Sequence, residues 1–442
     1  EWEWPAPGAD TSQAFNILIA SREYPDIIYD SQVSQAENLI NDKVIISLNE
    51  ILPDYAPNLW AYLQGNKDID KGSKTDDGNY FMFPSLREDA WLCTYAGPIV
   101  RKDWLDEQNL EIPVTIEDVE NVLRVFKDKY GARFGAIDQS NRWSVAIAGA
   151  YGIDRTTFYI DSNTVKFGPA EASYKDYVTL IKRWYDDGLI DPDFATLDDN
   201  TLASKMANNE IGYTVSASSQ RDKWLLAAEK TNSGASFEPA PYPVLNEGDT
   251  TKFIQTTTLP GGDGAMITTA SKNVELVARL LDYGYSEEGI NYWNFGEEGV
   301  SYEMVDGVPT FTDLVVNDPV GKYDAVKKYA GTTANGPSIQ LMNMWQQRNI
   351  PSATNAVNMW VGNTDPFEVK LPGALTPTVE EASEQSSLQN AIETYSSEMF
   401  YRFIFGDESL DNFDDYIETL NSMGLPRLLE LKQAQYDRYL DR

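Results

Sequence analysis

The sequence contains no histidine and only one cysteine among its 442 residues. Without histidine, the Ser–His and Cys–His nucleophile pairs, the HExxH zinc sites and every imidazole general base are excluded. The single cysteine, Cys93, cannot form an internal disulfide or a thiolate metal cluster. Because Cys93 lies in the apolar run 91–96, we expect a buried and unreactive thiol.

Basic residues are also scarce. There are 35 Lys and Arg against 69 Asp and Glu, which gives a formal net charge of −34. A surface this acidic repels phosphate backbones and has no basic stripe, which excludes nucleic acid as a partner. Anionic membrane surfaces are disfavoured for the same reason. No apolar run approaches the ~20 residues of a spanning helix. The chain starts at Glu1 without a signal peptide, and we expect a mature or trimmed form.

What is present is a long chain with enough apolar residues, 42%, to form sizeable cores. Its length indicates two or three folded units. Periodicity predicts a helix at residues 15–20 and buried strands at 26–29, 80–83 and 92–100, the last interrupted at Gly97-Pro98. Strands that alternate with helices favour an α/β fold with parallel sheets.

Several helix ends can be identified from local chemistry. Thr115 to Asp118 resembles a capping box, which opens a helix that ends at Gly131. A second helix covers residues 172–187 and ends at Gly188, and Ser271 is predicted to cap a third.

The last third of the chain has two clear features. Asp306-Gly307 separates two short apolar runs, 302–305 and 308–311, and predicts a tight β-hairpin. After residue 377 the sequence is mostly helical, with breaks at 405–406 and 423–426. This region is therefore predicted to be a set of packed helices.

Aromatic residues make up 12% of the chain, with 11 Trp and 25 Tyr. Several tryptophans lie beside polar or turn residues, where an indole face can stack on a sugar ring while Asp, Asn or Arg bind its hydroxyls. For any one tryptophan, packing in a core is the commoner role. The tryptophans in such positions are Trp91, Trp143, Trp293, Trp345 and Trp360.

Other motifs leave alternatives open. The carboxylate pairs Glu88–Asp89 and Glu297–Glu298 lie near aromatics, so a glycoside hydrolase is the alternative function, although solvated charge pairs are more common. A surface adhesin is the third hypothesis. Residues 161–164 lack the full ligand set of a calcium loop, and residues 261–264 lack the Lys and Ser/Thr of a phosphate loop, which favours a flexible connection there. We expect neither a metal site nor a cofactor.

Taken in order, five stretches of the chain resemble the extracellular solute-binding proteins of bacterial ABC sugar importers, family 1, in their large lipoprotein-type branch. The stretches are residues 20–29, 95–105, 184–194, 296–302 with the hairpin that follows, and 399–422.

This resemblance implies an α/β fold of the two-lobe, periplasmic-binding-protein-like type II, with hinge-linked lobes and a helical C-terminal region. Lobe 1 would comprise residues 1–88 with 261–345, and lobe 2 residues 89–260 with 346–442. The chain would cross between the lobes near residues 86–91, near 256–262 and again in the 340s. Crevices at strand ends are where open α/β sheets bind ligands, and hinged lobes close around them.

The resemblance also implies a function. The protein would capture a carbohydrate, an oligosaccharide, in the cleft and deliver it to the membrane permease subunits without catalysis. It would be a monomer and an extracellular lipoprotein anchored to the cytoplasmic membrane. The predicted ligand-binding residues are Asp30, Ser31, Arg87, Glu88, Asp89, Trp91, Trp143, Ser216, Ser218, Trp293, Trp345 and Trp360.

Two departures from the family pattern qualify this expectation. The lipidated cysteine, first strand and first helix with which family members begin are not found in the sequence. Several members carry an Asp/Asn/Gly calcium loop where this chain has residues 127–134, so structural calcium is not expected.

Overall fold

The computed structural model describes residues 11–30, 35–135, 142–231, 233–260, 263–331, 336–362, 364–365 and 367–442. The helices are α1 (Thr11–Ser21), α2 (Ala36–Asn41), α3 (Ile51–Tyr55), α4 (Pro57–Gly65), α5 (Lys67–Gly72), α6 (Lys102–Gln108), α7 (Ile116–Tyr130), α8 (Arg142–Ala148), α9 (Ala172–Asp186), α10 (Asp199–Ala207), α11 (Ser218–Thr231), α12 (Val274–Asp282), α13 (Glu287–Phe295), α14 (Asp313–Val316), α15 (Lys322–Ala325), α16 (Met342–Arg348), α17 (Pro351–Val361), α18 (Val379–Phe405), α19 (Phe413–Ser422) and α20 (Leu425–Asp441).

The strands are β1 (Ile27–Asp30), β2 (Phe83–Pro84), β3 (Leu86–Arg87), β4 (Ala96–Arg101), β5 (Arg133–Gly135), β6 (Phe158–Asp161), β7 (Thr164–Phe167), β8 (Ile211–Ala217), β9 (Phe237–Pro239), β10 (Gly264–Ile267), β11 (Tyr302–Val305), β12 (Val308–Phe311) and β13 (Ile339–Gln340). The larger sheets have the orders β1-β10-β2 and β5-β8-β4-β9, and β3 pairs in parallel with β13.

The buried apolar residues form separate clusters on the two sides of the predicted lobe boundaries. The largest cluster draws on residues 92–254 and 345–436. Three others draw on residues 15–86 and 265–344. We call the part with these three clusters lobe 1 and the part with the largest cluster lobe 2. The exact boundaries stay predictions, which this division of the cores supports.

Several local predictions that rest on capping and turn chemistry are confirmed. Thr115 Oγ1 accepts a hydrogen bond from the Asp118 amide at 3.1 Å, and the helix that it opens ends at Gly131 with φ of 69°. Asp306 and Gly307 both adopt positive φ, 52° and 80°, as the tight turn between β11 and β12 requires. The helix breaks after Phe405 and before α20 are also found where they were predicted.

Other local predictions are wrong in detail. Residues 90–93 form a short 3₁₀ helix, and β4 begins only at Ala96. It then continues through Gly97-Pro98, because β4 is held by antiparallel partners on both sides and the Pro98 carbonyl still accepts from the Ala240 amide. Of the predicted strand 80–83, only Phe83 joins the sheet.

Two further expectations are corrected. Val274 opens α12 with Asn273 as its N-cap, and Ser271 instead accepts a hydrogen bond from the Asn273 amide at 3.4 Å. Neither of the larger sheets is parallel, because the three-stranded sheet is antiparallel and the four-stranded sheet is mixed. β4 enters lobe 2 from the crossing segment and inserts antiparallel between β8 and β9, while β5 pairs in parallel with β8.

The C-terminal helix α20 ties lobe 2 to lobe 1. The Asp76 carboxylate in lobe 1, 3% exposed, accepts from the guanidinium groups of both Arg438 and Arg442. Arg438 also pairs with Glu381 at 2.7 Å, and the Asp76 amide donates to Thr376 Oγ1 at 2.9 Å. We call Asp76, Arg438 and Arg442 the arginine clamp.

Candidate functional site

One edge of the lobe 1 sheet gathers polar residues. β10 runs antiparallel to both β1 and β2, with Gly264 opposite Asp30 and opposite Pro84. The C-terminal ends of β1 and β2 and the N-terminal end of β10 therefore share one edge. Asp30, Asp263 and the chain leading to Arg87 lie there, and the Ser85 amide donates to the Asp263 carbonyl at 2.9 Å.

Arg87 is the most constrained side chain at this edge. It is only 8% exposed, and within the described residues its Nη1 has no hydrogen-bond partner. Tyr29 and Asp263 lie in the same neighbourhood. Burial and the Asp263 carboxylate raise the pKa of Tyr29 above its ordinary value, and the Arg87 charge opposes them. A buried donor without an acceptor is costly, so Arg87 is ready to bind an acceptor brought by a ligand.

The edge of lobe 2 next to the crossing segments is built in a similar way. The N-terminal end of β4 lies beside the C-terminal end of β8, with Ala96 opposite Ala217, and the C-terminal end of β5 lies next to them. Gln255 Oε1 accepts from the amides of Tyr95 and Ala96 at 2.9 and 3.1 Å. The Ser218 amide donates to the Tyr95 carbonyl at 2.9 Å.

Three predicted residues belong to this edge by their place in the chain. Ser216 and Ser218 are buried at the end of β8, and Ser216 Oγ has no partner among the described residues. Trp143 lies in α8, just after the segment that follows β5. Its side chain falls outside the described part of the structure, as does the whole of Ser31.

The segment that leaves lobe 1 uses its two carboxylates to hold backbone. The Glu88 amide donates to the Gln340 carbonyl at 3.0 Å, and Glu88 Oε2 accepts from the Met342 amide at 2.8 Å. Asp89 Oδ1 caps the 3₁₀ helix by accepting from the Trp91 amide at 2.7 Å. The two crossing segments are thereby joined.

Trp91 and Trp345 meet at this crossing. Their rings form an edge-to-face pair with centroids 4.8 Å apart. Trp91 is half-buried and donates through Nε1 to Asn358 Oδ1 at 2.8 Å, whereas Trp345 is 6% exposed. Trp91 is thus the ring of the pair that can also reach a ligand.

The remaining two tryptophans lie elsewhere. Trp360 is 2% exposed and donates to the Pro98 carbonyl at 3.1 Å, with its ring so close to Gly97 that a Cβ there would lie 2.4 Å from it. It has no face open to a ligand. Trp293, on α13 of lobe 1, packs against the backbone of Gly331 and Gly336.

The lobes also touch where α11 meets α15, which we call the Tyr323 contact. The charged groups of Lys223 and Arg348 lie 5.8 and 4.7 Å from the centre of the Tyr323 ring. Directly before Lys223 on α11, burial raises the pKa of Asp222 to about 6, against the effects of the Ile350 amide, Arg221 and Lys322.

A cavity of about 410 Å³ opens beside the lobe 2 edge. It is bounded by the start of β4, by the crossing segment at Thr256 and Thr257, and by residues 369–371. Tyr95 and Lys370 are among its lining residues, and Lys370 Nζ donates to the Thr256 carbonyl at 2.8 Å.

Within the ranges that the structure describes, no group of three or more His, Cys, Asp or Glu side chains is placed to hold a metal ion. In the same ranges, no helix combines the length and the apolar character needed to cross a membrane.

Several residues of this site were missed from the sequence. Asp263 lies in the glycine-rich stretch interpreted as a connection, and its position directly before a strand that pairs with β1 was the available signal. Tyr323 and Lys370 stand in ordinary polar sequence, so no local pattern distinguishes them. The structure brings together Arg87, Glu88, Asp89, Trp91 and Trp345, and it places Trp293 and Trp360 apart from them.

The chain matches the model of a known family. The model of the family described as bacterial extracellular solute-binding protein matches residues 1–290.

Two curated relatives are similar over most of the chain. The fructooligosaccharide ABC transporter substrate-binding protein FusA of Streptococcus pneumoniae serotype 4 is 23% identical over 99% of this chain and 84% of its own length. Lipoprotein LipO of Bacillus subtilis is 26% identical over 71% of this chain and 63% of its own.

Solved structures show the same fold. The alginate-binding protein AlgQ2, crystallised without calcium ion, is 25% identical with a TM-score of 0.83, over 97% of this chain and 89% of that one. FusA in complex with kestose is 22% identical with a TM-score of 0.78, over 98% and 91%. The chain therefore has the two-lobe fold of solute-binding proteins.

Proposed function

The chain belongs to the family of bacterial extracellular solute-binding proteins, and from that premise we propose that it captures an oligosaccharide between its lobes for an ABC importer. The observation that carries this proposal is that each lobe has a polar sheet edge next to the segments that join the lobes. The names of FusA and AlgQ2, which bind fructooligosaccharide and alginate, support a carbohydrate ligand. Delivery to membrane permease subunits follows from the importer assignment.

Arg87 and Trp91 are the proposed contacts with the best geometric support. The Arg87 guanidinium is buried with an unpartnered nitrogen, which suits a sugar oxygen. Trp91 offers a half-buried indole at the crossing, which suits stacking on a pyranose or furanose ring. Ser216 Oγ, buried without a partner among the described residues, is a third proposed contact.

The other predicted contacts have weaker support. Asp30 lies at the lobe 1 edge and stays a proposed contact, while Ser31 and the Trp143 side chain fall outside the described residues. Ser218, Trp293 and Trp345 stay predictions. The burial of Trp360 argues against its direct contact with a sugar.

We further propose that the protein binds its sugar without cleaving it. Glu88 and Asp89, one of the two carboxylate pairs that suggest a glycosidase, both accept backbone hydrogen bonds. Neither is held as a free acid and nucleophile on two sides of a sugar bond, as a glycosidase requires. The comparisons likewise give no support to a hydrolase.

The family is extracellular, and we propose that a lipid anchor holds this protein at the outer face of the cytoplasmic membrane as a monomer. The lipoprotein relative LipO supports the anchor. A monomer would leave both lobes free to close on the ligand and to meet the permease.

A thermal-shift screen over a panel of neutral and acidic oligosaccharides tests the function. A ligand that binds only the native state raises the melting temperature, by about 2.7 kcal/mol of stabilisation at a hundred times Kd. We expect at least one oligosaccharide to do so, to be recovered intact by chromatography, and to lower the radius of gyration in solution scattering. Cleavage products would contradict the binding role, and a panel without any shift would contradict the carbohydrate.

A further inference from the structure

We propose, resting on the function above, that the captured saccharide carries an anionic substituent, a carboxylate or a sulfate ester. Lys370 and Lys432 form the subsite that receives it, inside the cavity beside the lobe 2 edge. Neither lysine is among the contacts predicted from the sequence.

The cavity shares lining residues with the lobe 2 edge and with the crossing segment. Tyr95 and Thr257 line its end nearest the crossing, and the Thr257 amide donates to the Cys93 carbonyl at 3.0 Å. Lys432 on α20 and Gln389 on α18 line another part of it. At about 410 Å³, it lies within the ~300–1,000 Å³ of small-molecule pockets.

The residues that line this cavity carry an excess of positive charge, although the whole chain is acidic. Acidic residues outnumber basic ones almost two to one in the sequence, yet the cavity is lined by three lysines and one carboxylate, Asp154. One of the lysines, Lys252, is 59% exposed and paired with Glu368. The excess of positive charge therefore rests on Lys370 and Lys432.

These two ammonium groups are incompletely satisfied. Lys370 Nζ donates to the Thr256 carbonyl, and Lys432 Nζ lies 5.6 Å from the centre of the Phe158 ring. In the described part of the chain, neither forms an ion pair with a carboxylate. An ammonium has three donors, so both lysines have donors left for an anion.

The nearby acids do not neutralise the pair. The charge of Asp154 favours the ammonium form of Lys370. Asp154 Oδ1 already accepts hydrogen bonds from the amide and the hydroxyl of Thr156, each at 2.9 Å. The charge of Glu393 likewise favours the ammonium form of Lys432. Burial, however, raises the pKa of the Glu393 carboxyl. Burial lowers the pKa of both lysines. A bound carboxylate or sulfate would supply both the charge and the acceptors that are missing.

Titration calorimetry on the full chain with three trisaccharides of one backbone tests the subsite. The probes are a galacturonate trimer, a sulfated galactose trimer and a neutral galactose trimer, added to the oligosaccharide panel. We expect anionic members to bind at least thirtyfold more tightly than their neutral counterparts, and the carboxylate and sulfate arms to identify the group. Lys370→Met should remove that preference, measured as the ratio of anionic to neutral affinity within the same variant.

Lys252→Met is the matched control, because Lys252 lines the same cavity but is exposed and paired, and it should keep the anionic preference. The affinities of Lys432→Met and of the charge-conserving Lys370→Arg are measured in parallel, in case Lys370→Met is not stably folded. Neutral members that bind as tightly as anionic ones would overturn the subsite and leave the proposed function standing. An anionic preference that survives both Lys370→Met and Lys432→Met would also overturn the subsite. A panel with no binding member would contradict the proposed function and the subsite together.

Discussion

The arginine clamp and the Tyr323 contact join the same two lobes with opposite electrostatics. In the clamp, the Asp76 carboxylate accepts from two guanidinium groups and is almost fully enclosed. In the Tyr323 contact, Asp222 Oδ1 has no hydrogen-bond partner within the described residues, and Arg221 lies 3.7 Å away. The difference shows that burial alone does not decide what a carboxylate does, because its partners set the sign of its contribution.

If the lobes open and close, this difference predicts distinct roles for the two contacts. A carboxylate held by two arginines resists separation of the elements that it joins. A carboxylate whose charge is disfavoured by burial gains solvation when its surroundings open, so the Tyr323 contact is easier to break. We therefore expect the clamp to persist when the lobes open and the Tyr323 contact to separate.

The largest effect is expected for Asp76→Ala. Removing this carboxylate leaves Arg442 and Arg438 without their shared partner, and breaking a buried pair costs roughly 3–5 kcal/mol of the free energy of unfolding. Urea unfolding measures it. Glu384→Ala is the control, since its pair with Arg427 is about half exposed and should contribute less than about 1 kcal/mol. Equal losses in the two variants would contradict the clamp.

Two tryptophan variants sharpen the comparison at the crossing between these contacts. Trp91→Ala should weaken oligosaccharide binding by roughly 2–4 kcal/mol, about thirtyfold to a thousandfold in Kd, with little loss of stability. Trp360→Ala should show the reverse, a loss of roughly 3–5 kcal/mol of stability with unchanged affinity in the folded fraction. Melting temperature and sugar affinity are measured on both. Normal affinity in Trp91→Ala would remove Trp91 from the proposed site.

The raised pKa of Asp222 predicts a pH dependence. Its folded value of about 6 lies above the unfolded value near 3.8. Between those values the unfolded state loses the proton first, so stability falls as pH rises from about 4 to about 6 and is level outside this window. The expected fall is on the order of 2 to 3 kcal/mol. Asp222→Asn should flatten this part of the curve of unfolding free energy against pH, and an unchanged slope would contradict the assignment.

The smallest effect is expected for Lys322→Met. Lys322 favours the charged form of Asp222 from across the contact, and burial lowers its own pKa. Its removal should cost less than about 1 kcal/mol at neutral pH, as for other weakly coupled pairs. The upper end of the pH range over which the free energy of unfolding falls should move to higher pH. The pH series with and without this substitution measures the shift, and a downward shift would show that Lys322 does not face Asp222.

Some of this architecture could be predicted because its causes are local. The Thr115 capping box, the Asp306-Gly307 turn and the break at Gly406 each depend on a few adjacent residues whose chemistry fixes φ or satisfies an amide. The placement of Arg87, Glu88, Asp89 and Trp91 came from family resemblance, and the structure brings them together at the crossing.

The sequence could not distinguish residues of the same type whose surroundings in the folded protein differ. Trp91 and Trp360 both stand in polar stretches, but only the packing of α17 against β4 shows that Trp360 fills the space above Gly97. In the same way, Gly97-Pro98 looked like a strand break until β8 and β9 supplied partners on both sides.

By itself, then, the sequence determined the absence of histidine chemistry, the acidic composition, several helix ends, the hairpin and the family pattern. Composition and short-range chemistry act without the rest of the fold. Tertiary structure alone established the arginine clamp, which joins residues 362 positions apart. It also placed Lys370 and Lys432 on the wall of one cavity. The physical reason is that burial and partners, which set whether a charge is satisfied, are properties of the space around a side chain and depend on elements distant in the chain.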